Sequence, residues 1–257
     1  MAAYEHPAVR WLLAGELHPG GTALTRRAYD LIGLEADDRL LDVGSGDGTS
    51  VLLAAREHGC RAVGVEYGNG AVQEAGSRAA QLGLHERAEF VSADAASLPF
   101  ADRAFDAVIS ECSLAVFADK PGAVDEMRRV LRPGGRLALS DVVAQVDRLP
   151  DALRGALGAV ACLGEALPPG AHRELLEAAG FEVLAEEDRS ADAIAMADRV
   201  ADRLRGVKVL GLDELVPLDG GTGAALELVG EAREAIADGR IGYTLVSAVV
   251  RRDGEGP

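Results

Sequence analysis

The chain has 257 residues, 48% of them hydrophobic, enough to bury a full core at the upper end of one domain or the lower end of two. Its formal net charge of −16, with no Lys/Arg cluster to offset it, argues against nucleic acid and acidic membrane surfaces as partners. No apolar run approaches the roughly 20 residues of a membrane span, and the start MAAYEHPAVRW lacks the basic-then-apolar order of a signal peptide, so a cytoplasmic protein is expected. In chain order, residues 1–38 read as a helical lead-in, with an apolar patch at 9–13, a break at His18-Pro19-Gly20-Gly21 and a helix over 22–33. From residue 39 strands and helices alternate, the pattern of a parallel sheet covered on both faces. Strands are predicted at 39–44, 61–66, 87–92, 105–110 and 136–143, with helices at 48–58, 69–82 and 120–131. The pattern loosens over 144–170, then a helix (172–180), a strand (181–187) and a last strand (241–251) follow. The stretch 188–240 is too long for a plain loop and has helical periodicity at 194–204 and 224–236, which suggests a lid or substrate-shaping insertion. The tail 253–257 is expected to fray.

The most informative segment is Leu40-Leu41-Asp42-Val43-Gly44-Ser45-Gly46-Asp47-Gly48-Thr49. It reads as a buried strand that ends beside an acid and opens into a glycine turn, where the missing β-carbons of Gly44, Gly46 and Gly48 let the main chain approach a ligand. The dinucleotide fingerprint G-x-G-x-x-G would place its third glycine one position later than Gly48. Asp42 weighs further against a dinucleotide, because it would face a pyrophosphate at short range. A ligand with an ammonium group suits Asp42. S-adenosylmethionine carries one, together with a ribose diol that Glu66, closing the next strand, can hold with both carboxylate oxygens.

Four elements in order then resemble the class I S-adenosylmethionine-dependent methyltransferases over about residues 22–187. Leu41-Asp42-Val43-Gly44-Ser45-Gly46-Asp47-Gly48 resembles the first motif, Gly64-Val65-Glu66 the ribose-binding acid, Ser92-Ala93-Asp94-Ala95 the adenine-binding acid, and Leu131-Arg132-Pro133-Gly134-Gly135 the turn before strand five. The resemblance implies a Rossmann-like, doubly wound sheet of seven strands ordered 3-2-1-4-5-7-6, the last antiparallel. It implies three regions: an N-terminal helical cap (1–38), a cofactor-binding domain (39–187 with 241–252) and a helical insertion (188–240). It also implies roles: Asp42 and the Gly44, Ser45, Gly46 turn near the methionine end, Glu66 on the ribose, Tyr67 beside the adenine, Asp94 and Ala95 at the adenine, and Ser110 near the methionine end. His18, in its turn, is a further candidate for the cofactor's carboxylate.

Within that superfamily, Val108-Ile109-Ser110-Glu111-Cys112-Ser113-Leu114, Asp119-Lys120, Asp141-Val142 and Cys162-Leu163-Gly164-Glu165 resemble the arsenite methyltransferase-like branch and its small-molecule relatives. That branch binds arsenic through further cysteines, and this chain has none after Cys162, so two or three soft ligands are not assembled. Three cysteines at wide spacing fit neither a disulfide framework nor a zinc site, and no metal is expected.

Methyl transfer from a sulfonium is an in-line displacement that depends chiefly on alignment and exclusion of water. A base is needed only for a protonated acceptor; the candidates are His18, His172 and Glu111, of which Glu111 follows strand four at the cleft edge, with Cys112 next to it. Trp11, Tyr29 and Phe117 are candidates to line an acceptor pocket, and Cys60, before strand two, is expected to be filler. The expectation is thus a methyltransferase acting on a small acceptor, as a monomer or homodimer. The alternatives are a soft thiol or metalloid acceptor, a nicotinamide-dependent oxidoreductase, and a cofactor-binding protein without catalysis.

Overall fold

The computed structural model describes residues 7–13, 15–155, 163–212 and 220–251. Its elements in chain order are α1 (Pro7–Leu12), α2 (Gly21–Ile32), β1 (Arg39–Val43), α3 (Thr49–Glu57), β2 (Arg61–Glu66), α4 (Asn69–Gln81), β3 (Ala88–Ser92), β4 (Phe105–Glu111), α5 (Lys120–Val130), β5 (Leu131–Ala144), α6 (Ala171–Ala178), β6 (Phe181–Asp188), α7 (Ser190–Val209), α8 (Gly221–Ala237) and β7 (Ile241–Val250). Seven strands form one sheet in the order β3-β2-β1-β4-β5-β7-β6, with β7 antiparallel, as expected. No helix among the described residues is long and apolar enough to cross a membrane.

Burial follows position in the sheet. The central strands β1, β2 and β4 are buried at nearly every residue, as continuous apolar runs require when both faces are covered. At one edge β6 alternates between more and less exposed residues along its whole length. The parallel register, Leu41 opposite Val63 on one side and Val108 on the other, brings the carboxyl ends of β2, β1 and β4 to the same side of the sheet.

One boundary differs from the sequence expectation. Arg132-Pro133-Gly134-Gly135 lies inside β5, because Leu131 already pairs with Phe105 before the turn and Arg136 pairs with Ala107 after it. The extra residues bulge from the ladder, with Gly134 at φ +75°.

Contacts divide the chain into two compact units. One is built from the described segments of Thr22–Asp141, Gly170–Glu187 and Leu245–Pro257, the other from those of Met1–Gly21, Val142–Pro169 and Asp188–Thr244. Residues 22–38 therefore fall in the first unit, and the described residues of 142–169 and 188–240 in the second, a grouping other than the expected cap, core domain and insertion. The second unit has its own core, Leu204, Val207 and Ala225, against which Leu12, Val200, Leu226 and Val229 pack. There Arg203 lies over the ring of Trp11, 5.2 Å from its centroid, and Trp11 is 54% exposed.

Helix α6 buries His172, whose ring nitrogens have no hydrogen-bond partner among the described residues. Burial pushes its imidazole down to about 4. A His depressed in the folded state contributes stability that is complete above its unfolded value and lost as pH falls toward the folded one. Stability should therefore drop by roughly 3 kcal/mol between pH 6.5 and 4 on account of His172. Urea midpoints across that range should be flatter in His172→Leu than in the parent, and an equal slope would remove His172 as the cause.

Candidate active site

β1 ends at Val43 and the chain turns through residues 44–48 into α3. Gly44, Gly46 and Gly48 hold φ of +82°, +52° and +77°. A β-carbon at Gly44 would stand 2.5 Å from the Cβ of Ser113, and one at Gly48 2.5 Å from the ring of Phe90, so the turn is enclosed on both sides. It is also joined to β2, where Val65 O accepts from the amides of Gly44 (2.8 Å) and Ser45 (2.9 Å).

At the end of β2 the Glu66 carboxylate bridges two backbone segments. Its Oε2 accepts from Gly46 N at 3.0 Å and its Oε1 from Gly68 N at 3.2 Å, leaving lone pairs on both oxygens for a further donor. Tyr67 follows with its side chain exposed, and its carbonyl accepts from Ser92 Oγ at 3.2 Å. Asp94, after β3, is exposed and accepts from Ala96 N at 2.9 Å in a local turn, with Ala95 buried beside it.

On the β4 side, Ser110 Oγ donates to Val43 O at 2.9 Å, tying the ends of β1 and β4 together. The buried Glu111 accepts at Oε2 from Ser50 Oγ of α3 (2.7 Å) and Thr25 Oγ1 of α2 (3.1 Å). Cys112, half-buried, takes a left-handed φ of +52° and donates its N–H to Ser140 O at 2.7 Å. Ser113 Oγ lies 3.0 Å from Gly44 O and 2.8 Å from Glu111 O, within donating distance of either. On β5, Asp141 is fully buried and accepts from Ala115 N at 2.9 Å. Adjacent strands β2, β1, β4 and β5 thus each carry an acid toward the carboxyl end: Glu66, Asp42, Glu111 and Asp141.

Asp42 is 3% exposed. Burial, reinforced by repulsion from Glu111, Glu66 and Asp47, holds its carboxyl well above the ordinary carboxylate range. The same surroundings, burial first and then Glu111 and Asp42, push the Tyr29 phenol up. Between its unfolded and folded values Asp42 binds more proton in the native state, so its contribution to stability is present at low pH and lost as pH rises through the folded value. Asp42→Asn should therefore raise the urea midpoint of the ligand-free protein at neutral pH. It should also weaken S-adenosylhomocysteine by about 1.5–3 kcal/mol, the scale of a hydrogen bond to a charged group. A variant that is less stable and binds unchanged would contradict both assignments.

The structure brings Asp42, the glycine turn, Glu66, Ser110, Glu111 and Cys112 to the carboxyl ends of β1, β2 and β4, with Tyr67, Asp94 and Ala95 just beyond β2 and β3. His18 belongs to the other unit, where its Nδ1 lies 3.0 Å from Pro19 O. Cys162 lies outside the described residues. Tyr29 is a fully buried core residue that donates to Ser50 O at 2.5 Å, which corrects its reading as a pocket aromatic. Cys60 is fully buried at the amino end of β2. Thr25, Ser50 and Ser113 were not legible as site residues, because single hydroxyls on apolar helices and loops carry no periodic signal.

A methyltransferase-domain family model matches residues 34–180. The chain belongs to the class I S-adenosylmethionine-dependent methyltransferases. This methyltransferase is 30% identical to the 27-O-demethylrifamycin SV methyltransferase of Amycolatopsis mediterranei, over 90% of its own length and 84% of the other's. It is 35% identical to the arsenite methyltransferase of Halobacterium salinarum, over 65% of its own length and 43% of the other's. Among solved structures it resembles the 4+2 cyclase SpnF, with a TM-score of 0.75, 26% identity and coverage of 97% of this chain and 94% of that one. The geranyl diphosphate C-methyltransferase of Streptomyces coelicolor A3(2), at 19% identity and a TM-score of 0.74 over 95% of this chain and 85% of that one, shares the fold.

The residues present fit the methyl donor of this methyltransferase. Ser45 Oγ is buried at the turn without a hydrogen-bond partner among the described residues, Asp42 offers negative charge in a desolvated place, and Glu66 is fixed with acceptor capacity to spare.

Proposed function

We propose that this methyltransferase methylates a hydroxyl oxygen on a bulky, uncharged small molecule. One observation carries the reading: the similarity to a rifamycin O-methyltransferase runs through most of both chains, whereas the arsenite methyltransferase is matched over less than half of its length. The acids at the strand ends support it, since they disfavour an anionic acceptor such as a diphosphate. Against a soft acceptor stand the remoteness of Cys60 from the carboxyl ends of the strands and the need of a metalloid for two or three thiolates.

When bound, S-adenosylmethionine supplies a methyl group on a sulfonium, open to in-line attack. In this reading Asp42 faces the amino end of the methionine moiety, and the turn at Gly44, Ser45 and Gly46 and the hydroxyl of Ser110 lie along it. Glu66 takes the ribose hydroxyls, Tyr67 covers the adenine, and Asp94 with Ala95 meets its edge. Glu111, engaged by Ser50 and Thr25, holds α2 and α3 against β4 rather than drawing a proton from the acceptor, and Cys112 lines the cleft beside it. The acceptor is then activated mainly by orientation and dehydration.

The test is incubation with methyl-labelled cofactor and a panel of hydroxylated macrocycles, phenols, thiols and arsenite, read by mass spectrometry. Label on a hydroxyl supports the reading; label only on arsenite or thiols overturns it. The likeness to a 4+2 cyclase favours a second reading, in which the same fold promotes ring closure between a diene and an alkene of one bound molecule, for which a macrocycle carrying both groups belongs in the panel. Consumption of a panel member without uptake of label would favour that one.

A further inference from the structure

The feature left over by the donor-site reading is the pair Asp42 and Glu111. Asp42 pairs in register with Ile109, so Glu111, two residues further along β4, projects to the same face of the sheet at the next step. Both are buried, at 3% and 9% exposure. Glu111 accepts two hydroxyl hydrogen bonds on one oxygen, from Ser50 of α3 and Thr25 of α2. The ionisable groups that bear on Asp42 are all acidic: Glu111 from β4, Glu66 from β2 and Asp47 from the turn, the last paired with Arg78 of α4 at 2.9 Å. The Tyr29 phenol of α2, which donates to Ser50 O, also feels the charge of both acids. A carboxyl buried among acids resists ionisation, and Asp42 is the one so placed.

We propose that Asp42, set on the same face as Glu111 of the neighbouring strand, holds a proton in the ligand-free protein, that arrival of the cofactor's ammonium group expels this proton to solvent, and that Glu111 acts as a positioning residue whose charge tunes the pH dependence of donor binding. The inference rests on the reading that Asp42 meets the amino end of the cofactor. Once an ammonium group sits against Asp42, its positive charge offsets the repulsion from the neighbouring acids, and Asp42 can be ionised. Affinity for the donor therefore rises with pH until Asp42 of the free protein has lost its proton, and is flat above that point.

S-adenosylhomocysteine is the probe, because it has the same amino end and needs no turnover. Calorimetry on the full chain between pH 6 and 8, in phosphate and in Tris, should give binding enthalpies that differ with the buffer by the equivalent of about one released proton below the midpoint. Affinity there should rise about tenfold per pH unit. Glu111→Gln removes one of the repelling charges while burial still acts on Asp42, so the midpoint of the proton release and of the pH slope should move to lower pH while binding persists. Ser50→Ala removes a hydroxyl that offsets the Glu111 charge, so the repulsion felt by Asp42 grows and the midpoint should move to higher pH. The Ser50 variant and the parent protein decide the matter if Glu111→Gln does not fold. Binding with equal enthalpy in both buffers and no pH slope overturns the proposal and leaves the donor site standing, as does a midpoint unmoved in Glu111→Gln or in Ser50→Ala. Absence of binding at every pH would instead overturn the donor-site reading itself.

Discussion

Gly44→Ala is expected to cost roughly 2–5 kcal/mol of stability and to abolish measurable binding of S-adenosylhomocysteine. The left-handed φ of +82° penalises any β-carbon by about 1–2 kcal/mol. The new methyl would also stand 2.5 Å from Ser113 Cβ and 3.3 Å from the ring of Phe117, an overpacking that costs about 1–3 kcal/mol more. Ser113 cannot retreat freely, because its hydroxyl lies between Gly44 O and Glu111 O. For a chain of this size the thermal midpoint should fall by roughly 5–15 °C. Gly76→Ala is the matched control: it lies in α4, nothing comes within 4 Å of its β-carbon, and it should gain about 0.5–1 kcal/mol from helix propensity. Equal midpoints for the two variants in differential scanning calorimetry would show that the turn is not under the constraint described.

Glu66→Ala is expected to weaken S-adenosylhomocysteine by about 1.5–3 kcal/mol, or roughly 10- to 150-fold in dissociation constant. Some of that loss is direct, from the missing acceptor for a diol. The rest follows from the two amides, Gly46 N and Gly68 N, that lose their partner on either side of the binding edge. Glu66→Gln keeps the shape and one acceptor oxygen but not the charge, so it should fall between the parent and the alanine variant. Titration by calorimetry distinguishes them, and an affinity for Glu66→Ala within twofold of the parent would remove Glu66 from the site.

The fold was legible because its signals are redundant. Buried runs such as Leu40–Val43 and Val108–Ile109 each end near an acid or a glycine turn, and helices such as 120–130 lie between them, so pattern, punctuation and spacing agree. The turn at Arg132-Pro133-Gly134-Gly135 was misplaced for a physical reason: Pro and Gly mark a turn locally, yet pairing of Leu131 with Phe105 carries the strand through it. The acids proposed for the donor site stand out in the sequence because charge in a buried place needs a partner. Thr25 and Ser50 could not, since their meaning comes from Glu111, which stands 86 and 61 residues away in the chain. The division into two units was likewise illegible, because it depends on contacts between segments far apart in sequence rather than on any linker composition.

The clasp on Glu66 has a consequence for how fast and at what entropic cost the site fills. A free glutamate side chain at a surface loses roughly 1.5–2 kcal/mol of rotamer freedom when it is immobilised. Here that freedom was given up during folding, when the two amides closed on the carboxylate from opposite sides. Under the proposed donor-site reading, a nucleoside arriving at this edge meets a carboxylate already held in place, so less of its intrinsic affinity is spent on ordering the protein.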